Sequence, residues 1–94
     1  MYTFHVKILC KPEKREEAER FFKTAIQASR QEPGCIHYDW LVSTENPCEF
    51  HVYEKWATRE DFERHLQAPF VVEFRSRFQE LLAQRNQLTP LKDL

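Results

Sequence analysis

No stretch of this 94-residue chain approaches the roughly 18 consecutive apolar residues that a membrane-spanning helix requires. Nor does it open with a basic segment followed by an apolar one, the pattern of a secretory signal; a strand-like alternation starts at residue 2. A soluble, cytoplasmic protein is expected. Neither sign of charge is in excess, since fourteen Lys and Arg are interspersed with fifteen Asp and Glu. With no basic stripe to neutralise a phosphate backbone, nucleic acid is a poor partner. Cysteine is sparse and odd in number: Cys10, Cys35 and Cys48 lack C-x-x-C or Cys/His finger spacing. Neither a disulfide framework nor a metal site is suggested, and free structural thiols are expected. No repeat, low-complexity tract or composition shift divides the chain, so residues 1–94 read as one domain.

What is present is a globular composition, 41% hydrophobic and 14% aromatic, with eight Phe, three Tyr and two Trp to fill a core. Tyr2, Phe4, Val6 and Ile8 alternate with Thr3, His5 and Lys7, and this period of two predicts a strand over 2–10. Ala18, Phe21, Phe22, Ala25 and Ile26 follow helical spacing, which predicts an amphipathic helix over 12–31 that ends at Glu32-Pro33-Gly34. Gly34 is the sole glycine, and its place after Pro33 suggests a turn needing positive φ.

A second strand is expected over 35–43, with Ile36, Tyr38, Trp40 and Val42 on one face and Cys35, His37, Asp39 and Leu41 on the other. After a turn at 43–47, a third strand over 48–57 places Phe50, Val52, Glu54 and Trp56 together, opposite His51, Tyr53 and Lys55. These two strands should form an antiparallel hairpin. Thr58-Arg59-Glu60-Asp61 resembles a capping box and opens a short helix to about Gln67. Pro69 starts another, with the stripe Val71, Phe74, Phe78, Leu81 and Leu82, ending near Asn86. The tail QLTPLKDL suits a short fourth strand or an arm reaching a partner, and Pro90 argues against a long central strand.

This order matches an α+β, ferredoxin-like antiparallel sheet with helices on one face. Both faces of the second and third strands carry large apolar or aromatic groups, so a sheet with one wet side would expose too much of them. A homodimer pairing two sheets face to face resolves this.

Glu32-Pro33-Gly34-Cys35 with Tyr38, then Tyr53-Glu54-x-Trp56, His65-Leu66 and Pro69, resemble the antibiotic biosynthesis monooxygenase family of dimeric α+β barrels. The resemblance spans nearly the whole chain. It implies a two-fold dimer with a pocket in each subunit between sheet and helices. Similar proteins include cofactor-independent monooxygenases of aromatic polyketides or quinols, haem-degrading enzymes and autoinducer-processing isomerases. Haem-degrading relatives carry Asn, Trp and His where this chain holds His5, His65 and Arg75, which argues against haem degradation. The family usually ends in a full fourth strand, from which this tail departs.

His65 lies three residues after Phe62 on the stripe facing pocket or core. It is either a bonded structural histidine or a general base that takes a phenolic or enolic proton, making a substrate electron-rich enough to pass an electron to oxygen. His5 either shares a cavity with His65 or faces solvent, because period two fixes which residues travel together but not which side is inward. Glu54 on an inward face needs a partner; it either satisfies a structural bond or orients a histidine or carries the proton with a raised pKa. Tyr38, Tyr53 and Trp56, with Trp40, are either core or a stacking surface for a planar substrate. Cys35, just after the turn, is a candidate reactive thiol if partly exposed. The expected function is cofactor-independent oxygenation of a small aromatic or quinol-type molecule. The alternatives are an isomerase or lyase of a small oxo metabolite and a non-catalytic ligand-binding dimer.

Overall fold

The computed structural model describes residues 1–94, in the order β1 (Tyr2–Leu9), α1 (Arg15–Arg30), β2 (Cys35–Val42), β3 (Glu49–Trp56), α2 (Arg59–Leu66), α3 (Pro69–Ser76), α4 (Phe78–Leu81) and β4 (Gln87–Leu91). A 3-10 turn over Pro12–Lys14 precedes α1. The four strands form one antiparallel sheet ordered β2-β3-β1-β4, the ferredoxin-like arrangement. No helix is long and apolar enough to cross a membrane.

The alternation in β1 sets the inner face. Phe4, Val6 and Ile8 are buried under the helices, while Thr3, His5 and Lys7 lie on the opposite face. β3 alternates in the same way, burying Phe50, Val52, Glu54 and Trp56. Phe22 of α1 packs edge-on against Phe50 and Phe74, at centroid distances of 5.0 and 5.3 Å. Burying such a side chain contributes about 1.5–3 kcal/mol.

Two expectations need correction. Cys35 does not share a face with His37 and Asp39, because the β2–β3 register shifts between Cys35 and His37. The extra residue is Ile36, and Cys35 swings to the inner side, opposite Trp56 and against the core. The helix expected from Pro69 to Asn86 is instead two short helices, α3 and α4. At its end Leu82 turns extended, and Lys11 N–H to Leu81 O and Ala83 N–H to Leu9 O, both 2.8 Å, tie this segment to the end of β1. Bonds across the sheet edge thus replace further helical ones. The tail forms the expected short fourth strand, β4, paired antiparallel with β1 so that Pro90 sits opposite Phe4. Only at an edge can a strand absorb the missing proline N–H.

Candidate active site in the cavity between sheet and helices

Thr58 caps α2 by accepting the Asp61 N–H at 3.1 Å, and its hydroxyl donates to Asp61 Oδ2 at 2.9 Å. The Thr58 half of the expected capping box forms, while the Asp61 carboxylate meets the Thr58 hydroxyl rather than its backbone N–H. The turn before β2 lies against the same helix: Gly34 has φ of +80°, and a Cβ there would sit 2.1 Å from Asp61 Oδ2. Glycine is therefore needed twice, for its backbone angle and for the close approach. One helical turn beyond Asp61, on the same face, stands His65. The turn thus lays Glu32 beside His65, with Glu32 Oε1 2.7 Å from His65 Nδ1.

His65 is 4% exposed. Its ring packs on Trp56 at 4.6 Å and edge-on to Tyr38 at 5.6 Å. A carboxylate can only accept, so Nδ1 carries the proton and the neutral ring keeps its lone pair on Nε2, which makes no hydrogen bond. Burial lowers the His65 pKa, and the bond and charge of Glu32 pull partly against that. At neutral pH the ring is a proton acceptor held in one tautomer.

Glu54 is the second buried ionisable group, 7% exposed. Its Oε1 accepts the Trp56 indole N–H at 3.1 Å, and no cation pairs with it. Burial pushes its carboxyl up to about 7; the Trp56 bond works against this and the Glu32 charge adds to it. Such a group divides between donor and acceptor forms near neutrality.

Both groups line a cavity of about 220 Å³. Since roughly 150 Å³ holds a benzene ring in a dry apolar cavity, one or two fused rings fit here. Fifteen of the nineteen lining residues are hydrophobic, among them Phe4, Phe22, Phe70 and Phe74, and Tyr38, Arg75 and Asn86 are also in the wall. A flat apolar molecule would thus meet aromatic walls, one proton acceptor and one group that holds or releases a proton near pH 7.

A model of the family described as antibiotic biosynthesis monooxygenase matches residues 1–77. The chain belongs to the antibiotic biosynthesis monooxygenase family. An uncharacterised protein of Synechocystis is 37% identical over 76 residues, which are 81% of this chain and 52% of that protein. The chain spans about half the length of this curated relative. Among solved structures, a Pseudomonas aeruginosa protein superposes with TM-score 0.91 at 27% identity, covering 99% of this chain and 93% of that one. A Nitrosomonas europaea protein, provisionally described as an antibiotic biosynthesis monooxygenase, gives 0.92 at 26% identity over 100% and 99%.

Within this family fold the candidates separate. His65, Glu54 and Tyr38 share the cavity. His5 does not join them: it lies across the sheet, where its Nε2 is 2.9 Å from His51 Nδ1 and the rings stack at 5.1 Å. Tyr53 is on that same far face, 5.7 Å from the His37 ring. Trp56 is fully buried and outside the cavity lining; it supports His65 and Glu54 from behind. Tyr38 is buried, and burial with the Glu54 charge holds its phenol protonated well above neutrality. Burial raises the Cys35 thiol to about 11, which makes it a poor nucleophile. Of the positions compared with haem-degrading relatives, His65 and Arg75 line the cavity and His5 does not.

Glu32 does not stand out in the sequence as a site residue, because there it belongs only to the turn. No fixed spacing links residues 32 and 65. A carboxylate directly before Pro33-Gly34 was the available signal, and it becomes informative only once the turn is known to dock on α2. Phe70 was missed as a wall residue because α3 was read by its core stripe.

Proposed function

We propose that this chain is a cofactor-independent monooxygenase of a small aromatic or quinol-type substrate, with His65 as the general base. The observation that carries the reading is the 2.7 Å bond from Glu32 to His65, whose ring lines a mostly apolar cavity. Nε2 of His65 removes a proton from a phenolic, enolic or adjacent ring C–H position. The resulting anion passes an electron to dioxygen, and the two radicals combine to form a C–O bond. Loss of water then leaves a carbonyl: one oxygen atom stays in the product, the other leaves in water, and the substrate loses two hydrogens. Glu54, protonated over part of the neutral range, supplies a proton to the departing oxygen. Tyr38 adds an aromatic wall beside His65 against which the bound molecule packs.

The active form is proposed to be a homodimer in which a second copy covers the outer sheet face. That face carries His5, His51 and Tyr53 half-buried, and Leu41 and Leu91 exposed. Such a mixture is costly to leave in water across a whole sheet.

One observation favours a second reading. A base and a carboxyl titrating near 7 in one cavity also suit proton transfer without oxygen, as in isomerisation of a small oxo or enol metabolite.

Oxygen uptake with a panel of quinols and anthrone-type ketones, wild type against His65→Ala, separates the two. The monooxygenase reading expects substrate-dependent oxygen loss that falls about 10²-fold or more in the variant. Solvent hydrogen exchange into an oxo substrate with no oxygen consumed favours the isomerase, and uptake unchanged by the substitution removes His65 from the mechanism.

A further inference from the structure

Two of the three cysteines face each other across the sheet at the end remote from His65. The β1–β3 register pairs Leu9 with Glu49, so the next positions outward, Cys10 and Cys48, are directly opposed. Cys10 N–H donates to Cys48 O at 2.9 Å, one of the two bonds of a hydrogen-bonded antiparallel pair, the other donor, Cys48 N–H, being taken by Asn46 Oδ1. Cα atoms in such pairs stand about 5.5 Å apart, inside the roughly 4.4–6.8 Å range that a disulfide spans. Both side chains point the same way: Cys10 continues the inward set Phe4, Val6, Ile8, and Cys48 precedes the inward set Phe50, Val52. Both thiols are free, Cys10 at 1% and Cys48 at 9% exposure.

The surroundings hold this geometry in place. Cys48 N–H donates to Asn46 Oδ1 at 3.0 Å, fixing the turn that presents it. Arg15 donates to Pro47 O at 3.0 Å and lies over the Phe50 ring, and it is the cation that acts on the Cys10 thiol. Cys35 is on the inner face at the opposite end of β3, against Trp56, and cannot reach either.

We propose that Cys10 and Cys48 are an oxidisable dithiol, a modification site that closes to an intramolecular disulfide with a low-molecular-weight disulfide as oxidant. The Cys48 thiolate, at the more accessible position, attacks one sulfur of the oxidant, giving a mixed disulfide and one released thiol. Cys10 then attacks the Cys48 sulfur and expels the second thiol. Two electrons and two protons leave the pair, and one oxidant molecule becomes two thiols. Burial and the neighbouring Cys48 hold the Cys10 thiol up at about 11, so exchange is slow at neutral pH and quickens in alkali. The product ties the first strand to the third across α1 and β2, a constraint on the unfolded chain that stabilises the fold.

The test is equilibration of the native chain with excess oxidised glutathione at alkaline pH, then thiol counting in denaturant and peptide mapping. The expected result is a fall from three free thiols to one, a peptide linking Cys10 to Cys48, free Cys35, a higher Tm and full reversal by dithiothreitol. Cys48→Ser should leave Cys10 reduced and abolish the Tm rise. Three thiols after equilibration, a persistent glutathione adduct on Cys48, or a bridge involving Cys35 would each overturn the proposal. None of these outcomes depends on the reaction performed in the cavity.

Discussion

Glu32 and His65 are 33 positions apart in sequence and 2.7 Å apart in space. That contact exists because the Pro33-Gly34 turn docks on the first turn of α2. A hydrogen bond to an ionised group in a low-dielectric site orients the imidazole and selects its tautomer, as in other acid–base dyads. Glu32 is therefore the positioning residue for His65.

Glu32→Gln should retain the fold but lower kcat about 10- to 10²-fold with little change in KM, since orientation rather than binding is lost. Because the Glu32 charge raises the His65 pKa, the variant imidazole should titrate lower still. NMR titration of the ring checks this; an unchanged titration would show that the pair does not form.

Gly34→Ala should destabilise the chain by about 1–3 kcal/mol, because φ of +80° strains an alanine and its Cβ would collide with Asp61. If the close approach sets the Glu32–His65 contact, activity should fall further than stability. Thermal unfolding and steady-state rates on the same sample separate the two effects.

Glu54 links the site to pH. Its folded carboxyl is raised from 4.5 to about 7, so the folded state holds its proton more tightly than the unfolded chain. This favours folding fully below about pH 4.5, fades through the window up to about 7, and leaves a buried charge above it. Glu54→Gln keeps an acceptor for the Trp56 N–H and removes the charge. It should raise Tm at pH 8 and change it little at pH 5, with a maximum gain of roughly 3 kcal/mol. In the same variant the alkaline limb of the kcat/KM profile near pH 7 should disappear if Glu54 acts as the acid.

His5→Gln should leave kcat/KM within about twofold, because His5 is separated from the cavity by the sheet. A large loss of turnover without loss of assembly would contradict that placement. The outer face that His5 shares is the proposed dimer contact, so sedimentation velocity at micromolar concentration should give one species at twice the monomer mass. A single monomer boundary would remove the dimer from the account.

Much of the fold was legible because it is written in short periods. Period two in β1 and β3, the stripe in α1, the glycine turn and the Thr58 cap each depend on neighbouring residues. Features set by distant partners were not legible: the bulge that turns Cys35 inward, the break before β4, and the inward side of β1 that excluded His5. The site followed the same rule. His65 and Glu54 stood out as ionisable groups on apolar faces, whereas Glu32 became meaningful only when the turn met the helix.

In the proposed reaction His65, held by Glu32, takes the substrate proton. With oxygen removed, a weakly acidic, anthrone-type ligand whose anion absorbs in the visible can be mixed with the protein and its ionisation read directly. Wild type should generate the anion at a pH where the free ligand stays neutral, while His65→Ala should bind the ligand without ionising it and regain the signal with added imidazole. Equal anion formation by His65→Ala would contradict the account.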